Sequence, residues 1–246
     1  MKRKIFLAST ISAALAACSP IGTKLNGNQH FHDALDSAER LDERVLGTRG
    51  LAALYRPQDI SADFPIDSLD TPSDSGYERL AASGFRNFSL IVDGAVEAPA
   101  AIPMTQLVHM MNVDQITRHD CVEGWSAVAQ WQGVRLADVL ALARPKQNAR
   151  YAIFHCFDRD ANDSQYYESL SLQQAAHPQT ILALRQNGRP IAADRGAPVR
   201  LKVPTQLGYK SAKWVKRIEV AASLQPIGGG KGGYWEDQGY EWYAGI

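Results

Sequence analysis

Cys121 lies in the run His119-Asp-Cys-Val-Glu-Gly-Trp-Ser126, away from any Cys-x-x-Cys pattern. A cysteine there offers two chemistries. As a thiolate it is a soft metal ligand; oxidised, it bridges to a second cysteine. The chain has three cysteines, Cys18, Cys121 and Cys156, so a Cys121–Cys156 disulfide is the plain expectation for an exported protein. His119, Cys121, His155 and Cys156 form a nominal zinc set. However, His155 and Cys156 are adjacent in an expected strand and project to opposite faces.

A second cluster is Gly208-Tyr-Lys-Ser-Ala-Lys-Trp214, with Arg200 just upstream. A glycine after Val199–Val203 and Pro204 lets backbone N–H groups converge into an anion-binding nest, to which Lys210, Ser211 and Lys213 add donors. A solvated basic turn is the alternative. Gly228 to Gly233 formally satisfies Gly-x-Gly-x-x-Gly, but no amphipathic helix follows to face a pyrophosphate, so a flexible loop is expected. His30 and His32 read as an exposed pair in a polar stretch.

These groups sit in a chain of 246 residues, enough for one large domain or two small ones. Lys+Arg and Asp+Glu both number 26, so there is no global basic field to gather nucleic acid, and any anion site must be local. Met1-Lys-Arg-Lys4 followed by a short apolar run to Ala17 reads as an export signal, too short for a stable membrane span. Leu15-Ala-Ala-Cys18 resembles a bacterial lipobox, which implies a lipid anchor at Cys18; a plain cleavage site is the alternative. Arg3-Lys4 resembles a twin-arginine signal with lysine in the second place.

The elements that must position the two clusters are mostly strands. Spacing predicts a helix over Asp33–Leu46 and an extended, loop-rich stretch over 56–78. Strands are expected at Phe88–Val92, Tyr151–Phe157, Ile181–Gln186, Val199–Val203 and Val215–Val220. Short helices are expected at Met104–Met111, Leu136–Ala143 and Leu172–His177. No regular alternation of strand and helix appears, which argues for an α+β fold with mixed sheets.

Arg118-His-Asp-Cys121-Val-Glu-Gly-Trp-Ser126 resembles the molybdenum-ligating segment of the sulfite oxidase superfamily, and looks closer to Arg-x-x-Cys-Val-Glu-x-Trp-Ser of the bacterial periplasmic methionine-sulfoxide reductase catalytic subunits. Gly196 to Pro204 followed by Gly208 to Trp214 is similar to the second signature of that family, which contacts the pterin. The resemblance runs from about Pro57 to Val220.

It implies a sulfite oxidase-type fold and a molybdenum–molybdopterin cofactor. Cys121 matches the thiolate ligand, and Arg200, Gly208, Tyr209 and Lys210 match pterin-binding positions. Cys156 and Arg195 stand where those reductases have threonine and asparagine. Their N-terminal pterin-contacting segment has no clear counterpart; Asp63-Phe64 is the nearest candidate.

The expected organisation is an export signal and lipobox over 1–18, an extension with a helix over 19–50, and an oxidoreductase domain over 51–246. The expected function is oxygen-atom transfer on a sulfur compound, sulfoxide or sulfite, in the periplasm. With no haem motif or dimerisation module visible, a monomer served by a separate cytochrome or membrane haem protein is expected. A metal-free binding module that retains the fold is the rival reading. The aromatic tail Tyr234–Tyr243 either packs as core or covers the cofactor entrance.

Overall fold

The computed structural model describes residues 50–246 except 68 and 161. The expected export signal, the lipobox, the His30/His32 pair and the helix over Asp33–Leu46 lie outside the described residues.

Two five-stranded sheets organise the chain. The first runs β2 (Ala100–Pro103), β1 (Ser89–Gly94), β10 (Val215–Ala221), β5 (Tyr151–Arg159), β6 (Gln165–Ser171). The β1–β10 pair is parallel and the other three pairs are antiparallel. The second runs β3 (Val113–Asp120), β4 (Ser126–Arg135), β7 (Ile181–Gln186), β8 (Arg189–Pro190), and β9 (Arg200–Lys202) also pairs with β7. The principal core joins the inward residues of both sheets. Leu90, Val92, Phe154 and Ile218 of the first meet Val134, Leu182 and Leu201 of the second.

The opposite face of the second sheet is also covered. Ala127, Ala129 and Trp131 of β4 pack there with Ile181, Ala183 and the preceding Phe64. A sheet buried on both faces holds its register tightly, because a slip of one residue would exchange the two cores.

The helices are short and locally encoded. α1 (Ser75–Ala82) starts where Asp74 accepts the N–H groups of Gly76 and Tyr77, satisfying two end donors. It lies partly in the stretch expected to be loop. The prolines at 57, 65 and 72 suppress helix before it, whereas the Asp74 cap starts one. α2 (Met104–His109) follows β2. α3 (Leu136–Ala143) buries Leu136, Val139, Leu140 and Ala143, the i, i+3, i+4, i+7 stripe of its sequence. α4 (Leu172–Ala175) carries a reciprocal Ser171–Gln174 capping box. Asn187 and Gly188, both at positive φ, make the tight turn between β7 and β8.

Candidate functional site

β3 and β4 form a hairpin paired from Asp120–Ser126 back to Val113–Gly133, and Cys121 is the first residue of its tip. The surrounding sequence builds that tip. The Cys121 N–H donates to the Trp125 carbonyl (2.9 Å), and the Gly124 N–H donates to the Cys121 carbonyl (3.1 Å). Gly124, at φ +89°, takes the left-handed turn that a side chain would resist. Ser126 donates its hydroxyl to Asp120 (2.6 Å), which also pairs with Arg118 (2.9 Å). The Trp125 indole N–H donates to Glu123. The motif thus holds a half-buried thiol at a fixed place.

Cys121 and Cys156 are both free thiols. The disulfide that composition alone suggests is not formed, in keeping with the unpaired Cys121 that the resemblance implies, and the two cysteines play different parts. Burial, opposed by a hydrogen bond from the Glu123 backbone and reinforced by the Glu123 and Asp67 carboxylates, raises the Cys121 thiol above its ordinary pKa. It lines a cavity of about 160 Å³, with His119, Gly208, Tyr209, Lys213 and Asp67 among the other walls. Cys156 is fully buried in the principal core, its Sγ near the Phe154 carbonyl, and burial drives its thiol well above the usual range. It does not line that cavity. His155 turns to Glu219 on β10 (2.8 Å), so the nominal zinc set is dispersed.

The second sequence cluster closes onto the first. Gly208 begins a 3-10 turn, Gly208–Lys210, against the hairpin. A Cβ there would stand 2.6 Å from His119 Nε2 and 3.2 Å from the Asp120 carbonyl oxygen, so only glycine fits without displacing the ring. His119 is buried. Burial first, then the charges of Lys202, Arg200 and Lys213, holds its ring well below the usual histidine range and therefore neutral. Lys202 Nζ lies 3.2 Å from His119 Nδ1.

Arg200 and Lys202 are two apart on β9, on one face and almost wholly buried. Both sit over the Trp131 ring, at 5.4 and 5.7 Å from its centroid. Arg200 donates Nη1 to the Arg195 carbonyl, and Arg195 donates to the Phe64 carbonyl, which carries this cluster to the preceding segment. Among the described residues no carboxylate lies within ion-pair distance of either Arg200 or Lys202, and Arg200 Nε is buried without an acceptor. Burial pushes Lys202 down to about 7, with Arg200 adding to the shift. Lys213, by contrast, is paired with Asp67. Buried cations without counter-charge cost several kcal/mol each unless an anion completes them. An orphaned guanidinium nitrogen, an unpaired lysine and a glycine-only contact beside a free thiol fit a ligand with both a metal and a phosphate.

Lys210 is placed differently from the sequence expectation. Its ammonium is fully buried between Glu168 (2.5 Å) and Glu236 (2.6 Å) and does not face the cavity. Burial alone would lower its pKa, but the two carboxylates hold it raised. It is a structural pin, and Lys202 and Lys213 are the lysines nearer the thiol. Of the seven site positions read from sequence, Cys121, Gly208 and Tyr209 line the cavity, Arg195 and Arg200 back it, and Cys156 and Lys210 lie in the interior. Sequence reasoning missed Asp67 and Lys202, and considered His119 only as a nominal zinc ligand. The alternation of Arg200 and Lys202 within an apolar strand was the available signal for Lys202.

A larger cleft, about 600 Å³, shares no lining residue with this cavity. Its carboxylates are satisfied internally. Asp237 accepts the Gly229 and Lys231 N–H groups and the Tyr167 hydroxyl, so the glycine-rich loop nests around a side chain of the chain itself.

Comparison with known proteins agrees with this geometry. Residues 79–226 match the family described as oxidoreductase molybdopterin binding domain. The chain is 35% identical over 228 residues to the chain named as protein-methionine-sulfoxide reductase subunit YedZ1 of Azospira oryzae, covering 91% of this chain and 80% of that one. It is 32% identical over 145 residues to the protein-methionine-sulfoxide reductase catalytic subunit MsrP of Campylobacter jejuni, covering 54% of this chain and 49% of that one. The sulfane dehydrogenase SoxCD of Paracoccus pantotrophus shares the fold, with a TM-score of 0.50 and 21% identity over 56% of this chain and 39% of that one. No helix of the described residues is long and apolar enough to cross a membrane. The chain belongs to the molybdopterin-binding oxidoreductase family of sulfite oxidase type, and molybdenum–molybdopterin is its cofactor.

Proposed function

We propose that this chain is the catalytic subunit of an exported reductase that removes oxygen from a sulfoxide, with methionine sulfoxide as the substrate type. The observation that supports it most is the free Cys121 thiol at the hairpin tip, facing the Gly208–Lys213 segment and backed by unpaired Arg200 and Lys202. The names of the two reductase relatives supply the direction and the substrate type.

In this reading Cys121 gives the metal its protein thiolate, and binding displaces the thiol proton. Arg200, with Arg195 and the backbone of Gly208 and Tyr209, holds the pterin, while Lys202 adds charge toward its phosphate. His119 sets its Nε2 edge against Gly208, with Lys202 at Nδ1. Lys210 and Cys156 support from behind. When bound, the molybdenum centre supplies two-electron oxygen-atom transfer. The overall change is R–S(=O)–R′ + 2 e⁻ + 2 H⁺ → R–S–R′ + H₂O. The electrons come from a separate carrier, since the chain shows no haem motif and the relatives are named as subunits. In this reading the run Met1–Ala17 acts as an export signal to the periplasm, Arg3-Lys4 supports the twin-arginine route, and Leu15-Ala-Ala-Cys18 supports an anchor at Cys18.

The test is turnover. Holoenzyme supplied with a reduced artificial electron carrier is expected to reduce methionine sulfoxide, and Cys121→Ser is expected to lose that activity while remaining folded. A fully loaded wild-type enzyme that leaves every sulfoxide untouched contradicts the reading.

A further inference from the structure

The family match ends at residue 226, yet the cavity beside Cys121 is walled in part from beyond it. Trp235 and Tyr240 of the C-terminal segment line it together with Tyr166 and Tyr209. Trp235 and Tyr240 stack on each other, with centroids 5.4 Å apart and planes at 28°, and Tyr209 meets Tyr240 edge-on at 5.3 Å. Tyr240 keeps 42% of its surface exposed, and Val122, next to the thiol, keeps 44%. An aromatic rim therefore lines the same cavity as the thiol.

The segment carrying it is fixed. Glu236 meets Lys210 in the interior, the Tyr209 hydroxyl donates to the Glu241 carbonyl (2.6 Å), and the Leu207 N–H donates to the Ala244 carbonyl (2.8 Å). The Ile246 N–H donates to the Thr205 carbonyl. The wall is thus preorganised on the same stretch that begins the Gly208 turn, so it does not have to be ordered when substrate arrives.

The charges of the cavity narrow what the wall can accept. Its lysine, Lys213, is already neutralised by Asp67, and Glu123 adds a second carboxylate. Asp67 and Lys213 neutralise each other, and Arg200 and Lys202 behind the cavity are committed to the pterin in the reading above, so no lining cation is left over for an anionic sulfur oxide. A neutral sulfoxide flanked by methyl or methylene groups would instead rest its sulfur and carbons on aromatic faces, a favourable contact.

Resting on the sulfoxide reading above, we infer that Trp235 and Tyr240 are the substrate-contacting residues that select a neutral thioether-type sulfoxide over a sulfur oxyanion.

The test uses the molybdenum-loaded full chain. Calorimetric Kd values of the oxidised enzyme for methionine sulfoxide and for sulfite are measured beside steady-state KM and kcat. Trp235→Leu and Tyr240→Leu are expected to raise Kd and KM for methionine sulfoxide about fivefold, the scale of one or two sulfur–aromatic contacts, with kcat and molybdenum content unchanged. Trp235→Phe and Tyr240→Phe are expected to restore wild-type values. Unchanged Kd in the leucine variants overturns the wall. So does loss of molybdenum from them, which would make these residues part of the cofactor enclosure, and so does tighter wild-type binding of sulfite than of methionine sulfoxide. Because the wall is judged on binding, a wild-type enzyme that binds but does not reduce sulfoxides refutes the proposed activity alone.

Discussion

Gly208 lies directly against His119, so that a Cβ at position 208 would stand 2.6 Å from the imidazole Nε2. This contact locks the Gly208–Lys213 segment onto the β3–β4 hairpin and brings two motifs, far apart in sequence, to one cavity. Gly208→Ala must push the buried ring or the turn aside. The expected result is a loss of about 1–3 kcal/mol of stability together with substoichiometric molybdenum in the purified enzyme. Denaturant titration and elemental analysis check both, and full metal content in a stable alanine variant argues against the interlock.

Lys202 separates stability from cofactor binding. It is buried with no carboxylate partner among the described residues, so in cofactor-free protein it is a cost, whereas in the proposed function it would face the anion of the bound cofactor. Lys202→Met is expected to stabilise the cofactor-free chain by about 1–3 kcal/mol while weakening retention of molybdopterin. Denaturation of the free chain and pterin content after dialysis are the two measurements, and the prediction is that they move in opposite directions.

Lys210 behaves otherwise, because its partners are internal. Lys210→Met leaves Glu168 and Glu236 buried without a cation and is expected to cost about 3–5 kcal/mol. Replacing all three by methionine is expected to recover most of that loss, as measured by chemical denaturation. If Lys210→Met strips cofactor at wild-type stability, the ammonium serves an external anion after all.

Asp158 supplies a pH dependence. It is almost fully buried on β5, with Oδ1 lacking a partner, and burial raises it to about 7 from an ordinary value of 3.8. The folded state therefore holds a proton that the unfolded chain releases. Its contribution is fully present below pH 3.8 and is lost as pH rises through about 7. Relative to wild type, Asp158→Asn is expected to lack this fall and to gain on the order of 4 kcal/mol at most above that window. Urea titrations of both proteins across the window give the difference, and parallel pH curves contradict the assignment.

The sequence showed the strands that are apolar on at least one face, such as Val215–Val220 and Ile181–Gln186, and the helix Leu136–Ala143 to the residue. β3 and β6 were not legible as strands, and the reason is physical. Their buried positions include the polar residues Gln115, Thr117, His119, Glu168 and Ser169, of which His119 lines the cavity and Glu168 pairs with Lys210. Alternation of apolar and polar residues is the signal for a strand, and a site-facing strand gives it up. Cys121 and Gly208 could be found because each stands in a distinctive local run. Asp67 could not, since its relation to the thiol exists only after the chain has folded, whereas the aromatic tail Tyr234–Tyr243 reads as core or as a cover for the cofactor entrance, and its Trp235 and Tyr240 do line the cavity.

If Cys121 supplies the protein's sulfur to molybdenum, molybdenum-edge X-ray absorption of wild type and Cys121→Ser, both loaded with cofactor, is expected to find one fewer sulfur neighbour at the metal in the serine variant. An unchanged number of sulfur neighbours would overturn the assignment of Cys121 as the ligand.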